Sequence, residues 1–156
     1  MPYIPYAWQP IGSVIAIPTS THRRRLNVLG FLNRCNELYP YVIEGKVDTS
    51  VIVEGFDRFS KQIHKRTYVL LDNSPLHRSQ EFIRHIPQWA KIGLIIKYLP
   101  PYSPELNLIE ILWRFIKYHW LPFSAYMSFS SLVQAVEDIL TRFGTDFTIN
   151  FQTARV

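Results

Sequence analysis

Residues 69–77 read Val69-Leu-Leu-Asp72-Asn73-Ser-Pro75-Leu-His77, an apolar run that stops on two Asx residues. Residues 99–110 read Leu99-Pro-Pro-Tyr-Ser-Pro-Glu-Leu-Asn-Leu-Ile-Glu110: an apolar end, a turn with three prolines, and the start of a helix. Continued upstream to Thr67, the first run is the kind of apolar strand that a sheet buries on both faces. Asp72 then stands at the carboxyl end of a parallel strand, where open α/β sheets leave a crevice for ligand groups. Pro100, Pro101 and Pro104 each fix φ, so the turn that delivers Glu110 is stiff.

The elements around these runs follow from periodicity. The first ten residues carry Pro2, Pro5 and Pro10 among Tyr3, Tyr6 and Trp8, an extended segment rather than a helix. Residues 12–18 and 25–32 are β-rich runs joined by a Thr/Ser/Arg turn, which predicts a hairpin, and Tyr41-Val-Ile43 predicts a third short strand. Asp48 is placed to cap a helix whose stripe is Ile52, Phe56, Phe59 and Ile63. Phe82, Ile86 and Trp89 mark the next helix, which Pro87 should kink or end. Residues 94–99 form another apolar strand. From Glu105 a long helix carries Ile109, Leu112, Trp113, Ile116 and Trp120 inward, and a last helix after Ser130-Ser131 carries Leu132, Val136, Ile139, Leu140 and Phe143. Strands alternating with helices in the second half imply parallel pairing there, and the hairpin strands before them are antiparallel. The fold class is α/β: one domain over residues 1–156, a mixed sheet with flanking helices.

A chain of 156 residues is large enough for one core, and 47% apolar against 19% charged residues excludes a disordered chain. No apolar run approaches the roughly 18–20 residues of a membrane span, and no signal-peptide pattern opens the chain. A single cysteine, Cys35, allows no internal disulfide and fits a reducing, cytoplasmic setting; it reads as a small, partly buried residue. The 17 Lys+Arg against 12 Asp+Glu give a net charge of +5, which favours polyanionic partners such as DNA. The run His22-Arg-Arg-Arg25 reads either as a DNA contact or as a solvated turn between strands.

Asp72 and Glu110 are the candidate chemistry. Paired carboxylates suit hard divalent cations such as Mg²⁺ or Mn²⁺. Two such ions about 3.5–4 Å apart can activate the attacking oxygen and stabilise the leaving oxygen of a phosphodiester displacement, which asks for carboxylates within about 4–8 Å of each other. No His/Cys cluster with zinc spacing competes. Two plainer readings stand beside this one: Asp72 or Asn73 caps the following helix, or Glu110 pairs with Arg114 as an i,i+4 surface bridge. His77 either orients a carboxylate or contacts a phosphate, or is a helix-start histidine without chemistry. Asn107, Glu110, Arg114 and Lys117 share one polar helix face.

The ordered set of motifs resembles the DDE transposases of the IS630/mariner group over nearly the whole chain. Trp8-Gln-Pro-Ile-Gly12 is similar to the Trp-x-x-x-Gly element after their first catalytic strand. Leu71-Asp72-Asn73 with His77 resembles their second-acid motif. Pro100-Pro-Tyr-Ser-Pro-Glu-Leu-Asn107 through Ile109-Glu110 and Trp113 resembles the signature around the third, with Leu108 where Pro is usual. The 37 residues between Asp72 and Glu110 fit such a core.

The resemblance implies a ribonuclease H-like fold and two-metal cleavage and joining of DNA. In it Asp72 and Glu110 are catalytic and metal-binding, and Asn73, His77, Arg114 and Lys117 contact nucleic acid. The implied partners are transposon ends and target DNA, a second copy, or the product of an upstream reading frame. The family's first Asp, on a central strand, and its helix-turn-helix region have no counterpart, since Met1–Ala7 leaves no room for that strand. The expectation is therefore a truncated catalytic domain, from a decayed or a frameshifted gene, with little or no strand transfer alone. Beside the strand at 67–71 an unpaired edge is expected, left open or filled by Tyr3–Trp8 or a partner's strand. The rival reading is a non-catalytic fragment that binds DNA or an intact transposase.

Overall fold

The computed structural model describes Gly12, residues 24–101, Ser103 and residues 106–151. Two strands form a first antiparallel sheet, β1 (Leu26–Leu32) with β2 (Leu38–Glu44), Val28 opposite Val42. Helix α1 (Thr49–Ser60) follows, and Asp48 caps it through the Val51 N–H. Then come β3 (Thr67–Leu71), α2 (Gln80–Lys91) and β4 (Leu94–Tyr98), with β3 and β4 parallel and Leu71 opposite Tyr98. Helix α3 (Leu108–Phe115) passes into a π-helical turn at Ile116–Trp120, a 3-10 turn covers Phe123–Met127, and α4 (Phe129–Thr141) closes the described chain. Among the described residues, no helix is long and apolar enough to cross a membrane.

The chain is mixed α/β, with parallel pairing in the second half as its element order implies. Strand β1 pairs with β2, the run expected as a third strand; of the hairpin expected between 12–18 and 25–32, residues 13–18 lie outside the described residues, as do Trp8, His22, Arg23, Pro104 and Glu105. Other local expectations need correction. Of the basic run, Arg24 pairs with Glu44 at 3.1 Å and lies over the Phe129 ring. Helix α1 ends at Ser60, so Ile63 packs on the core from beyond it. Helix α2 does not end at Pro87 but continues to Lys91, because Phe82 and Trp89, both buried, anchor it on either side of the lost hydrogen bond. Cys35 is exposed, since the β1–β2 turn is built at the surface by Asn33, whose Oδ1 accepts from the Cys35 and Glu37 N–H groups.

Strand β3 is buried on one face only. Val69 and Leu71 join the core beneath α1 and α2, while Tyr68 and Leu70 turn the other way and stay 56% exposed.

Two cores share β1. Leu29 and Phe31 point into a cluster with Phe56, Phe59, Phe82, Trp89 and Leu94. Leu26, Val28 and Leu32 point the opposite way, into a cluster with Leu112, Ile116, Val136, Ile139 and Phe143. That is the period-two alternation of a strand with helices on both faces. Gly30 belongs to the second face, where α3 lies. A Cβ there would meet Ile109 Cδ1 at 3.1 Å, Leu38 Cδ1 at 3.2 Å and a Trp113 ring carbon at 3.4 Å.

The edge of β1 away from β2 and the edge of β3 away from β4 line one cavity of about 750 Å³. Residues 28–32 and 67–72 all contribute to its wall, whereas β4 contributes none. Among the described residues, β3 pairs only with β4; Tyr3–Trp8, one of the segments expected beside it, lies outside them.

Gly30 is thus the contact that sets how closely α3 approaches the sheet. Gly30→Val should lower stability by about 1–3 kcal/mol through overpacking and shift the backbone amide resonances of α3. Leu70→Lys, on the exposed face, should stay within about 0.5 kcal/mol of the parent. Urea unfolding with an amide spectrum of each variant checks both, and a Gly30→Val protein with parental stability and an unmoved α3 would contradict this packing.

Candidate active site

Asp72 directly follows β3 and turns the chain toward α2. Its Oδ1 accepts the Ser74 N–H at 3.1 Å, an Asx turn, and lies 2.7 Å from His77 Nδ1. The cap of α2 is Ser79, whose hydroxyl accepts from the Phe82 N–H at 3.2 Å, so Asp72 and Asn73 are not helix caps. The His77 ring is held by Asp72 and by Phe82 at 5.6 Å between centroids, and its main-chain carbonyl accepts from Tyr98 Oη at 2.7 Å. Its side chain is 16% exposed against 48% for Asp72. Both recorded bonds to Asp72 end on Oδ1, which leaves Oδ2 without a partner among the described residues.

Glu110 sits in the first turn of α3, where the helix dipole favours a carboxylate. It is exposed and makes no ion pair with Arg114 among the described residues; the i,i+4 bridges that do form are elsewhere. The surface-bridge reading therefore fails for Glu110. Asn107, Glu110 and Trp113 line the same cavity as Asp72 and His77. Two acids with 37 residues between them in sequence thus open onto one space, beside the edges of β1 and β3 that have no partner among the described residues.

The other residues singled out by sequence stand apart from that cavity. Asn73 is exposed and committed: its Nδ2 donates to Leu99 O at 2.8 Å, and its Oδ1 accepts from Arg78 Nε at 3.1 Å. Arg114 and Lys117 lie on the outer face of α3 and the π turn, both exposed. Arg78 and Tyr98 carry a large share of the loop contacts, yet nothing in their spacing marks them in the sequence. Among the described residues, no group of three or more His, Cys, Asp or Glu side chains could hold a metal ion. The donors available at the cavity are the Asp72 and Glu110 carboxylates, and a Mg²⁺ ion asks for one or two of these beside water and substrate phosphate.

Residues 1–133 match the family model described as DDE superfamily endonuclease. No curated protein matches the chain. Among solved structures it is similar, at 15% identity and a TM-score of 0.41, to a chain in the cryoEM structure of the simian T-cell lymphotropic virus intasome in complex with PP2A regulatory subunit B56 gamma. That likeness takes in 93% of this chain and 62% of the other, so this chain spans less than two thirds of that relative's length.

The Asp72 contact fixes which His77 nitrogen carries the proton when the ring is neutral. A carboxylate accepts only, so Nδ1 must donate and the tautomer is Nδ1–H. Long-range proton–nitrogen correlation spectra of the neutral ring should show that form, and Asp72→Ala should release it to a mixture. An Nε2–H ring in the parent protein would mean that the Asp72–His77 contact is absent in solution.

Proposed function

The chain belongs to the DDE superfamily endonuclease family, and on that premise we propose that it is the catalytic-domain part of an IS630/mariner-type transposase that acts on DNA phosphodiester bonds. The observation that carries the reading is the meeting of Asp72 and Glu110 on one cavity, each with carboxylate oxygens left unpaired among the described residues. A ribonuclease H-like architecture accords with parallel β3 and β4, antiparallel β1 and β2, and one cavity lined by β1 and β3.

Asp72 and Glu110 would hold Mg²⁺ or Mn²⁺, which when bound supplies Lewis acidity to an attacking and a leaving oxygen. The protein's own contribution is placement. Strand β3 and the Asx turn hold Asp72, and His77 takes up its Oδ1 so that Oδ2 is the oxygen available to a cation. Helix α3, seated against Gly30, holds Glu110 on the same cavity. Arg114 and Lys117 present positive charge on the outer face of α3, suited to phosphate contacts that set register rather than sequence preference. The net charge of +5 acts in the same direction at longer range.

Two measurements test this reading. In calorimetric titration, Mn²⁺ should bind weakly, and Asp72→Ala or Glu110→Gln should each weaken it by about 10-fold or more. Binding unchanged in both variants would remove the acids from the site. In DNA binding, replacing Arg114 and Lys117 together by alanine should lower affinity and flatten the slope of log affinity against log salt by about one unit per cation. An unaltered slope would take those two residues off the interface.

A further inference from the structure

The carboxyl ends of β3 and β4 are joined by contacts that the cavity does not contain. Arg78 donates from Nε to Asn73 Oδ1 at 3.1 Å and from Nη2 to the same oxygen. Its guanidinium lies 3.8 Å from the centroid of the Tyr98 ring. Asn73 Nδ2 donates to Leu99 O at 2.8 Å, Leu99 N–H donates to Leu71 O at 2.7 Å, and Tyr98 Oη donates to His77 O at 2.7 Å. The contacts close a ring from Arg78 through Asn73 to Leu99 and back over Tyr98. One side of that ring is the segment that bears Asp72 and His77. The other is the segment that leads through Pro100 and Pro101 toward α3 and Glu110.

We propose that Arg78 is a positioning residue for Asp72, holding its turn in register with the carboxyl end of β4. The proposal rests on the assignment of Asp72 and Glu110 as the metal-binding acids. A guanidinium suits the task because it is planar and can fork onto one oxygen while its face stacks on an aromatic ring; an ammonium matches its charge and does neither. The fork fixes the Asn73 amide with its oxygen toward Arg78, which leaves its nitrogen to hold Leu99 O. Arg78 and Asn73 are both exposed, so the ring adds little to global stability. Its effect is on where two loops sit, the kind of outer contact whose loss costs about 10–100-fold in metal affinity.

The test compares the parent protein with Arg78→Lys, Arg78→Ala and the double variant Arg78→Lys/Asn73→Ala. Three quantities are read: hydrogen exchange of the Leu99 amide, Mn²⁺ affinity from paramagnetic broadening, and melting temperature. With lysine at position 78 the Leu99 amide should exchange about tenfold faster and Mn²⁺ affinity should fall about tenfold, while the melting temperature stays within about 3 °C. Adding Asn73→Ala should cause a smaller further loss, that of the remaining Asn73 Nδ2 bond to Leu99 O. Unchanged Leu99 exchange in both Arg78 variants would overturn the proposal. So would parental Mn²⁺ affinity in Arg78→Lys with weakened DNA binding only in Arg78→Ala, which would make Arg78 a phosphate contact. Failure of the functional reading is seen separately, in parent Mn²⁺ binding that ignores Asp72→Ala and Glu110→Gln; there would then be no site to position, and the proposal would fall with it.

Discussion

Strand β1 packs against a core on each of its faces, and the rest of the described structure takes its place from that constraint. Leu29 and Phe31 complete the core that supports β3 and β4, while Val28 and Leu32 complete the one that supports α3 and α4. A close-packed interior cannot absorb even a methylene without cost, so the two halves are set against each other through a single strand. Gly30 lies at the point of closest approach, with Ile109 and Trp113 of α3 where a side chain would stand. Because Glu110 follows Ile109 directly, the seating of that helix on β1 also places the acid. Asp72 is placed independently, by β3 across the cavity.

The ends of the strands then provide what the sheets alone do not. Parallel β3 and β4 both finish at the same edge, so their following loops meet there and can be tied together by short hydrogen bonds around Leu99. One loop carries Asp72 with His77 fastened to it, and the other continues to Pro100 and Pro101. A carboxylate held as Asp72 is suits a cation shared with substrate phosphate, since a loosely held ligand loses affinity through its own ordering.

Much of this was legible in the sequence where one physical signal dominated. The stripe of Ile52, Phe56 and Phe59 behind Asp48 specifies α1, and the apolar runs ending at Leu71 and Leu99 specify the parallel pair. Asp72 and Glu110 stood out because a polar group at the end of an apolar strand and another after a proline turn are unusual in combination. The remainder was hidden for identifiable reasons. Pro87 breaks helices only where tertiary burial does not outweigh one lost hydrogen bond, and Phe82 and Trp89 outweigh it. The expectation of a fully buried β3 treated Tyr68 and Leu70 as core on composition alone, although exposure depends on what covers a face. Arg78 is an ordinary charged residue until its contacts with Asn73 and Tyr98 are seen.

The central claim is that Asp72 and Glu110 form one cation site. A crystal of the protein grown with Mn²⁺, with diffraction recorded at a wavelength where manganese scatters anomalously, tests it most directly. The account predicts an anomalous peak within coordination distance of carboxylate oxygens from both residues, in the cavity between β1 and β3. A peak held by neither, or carboxylates set farther than about 8 Å apart across that cavity, would contradict it.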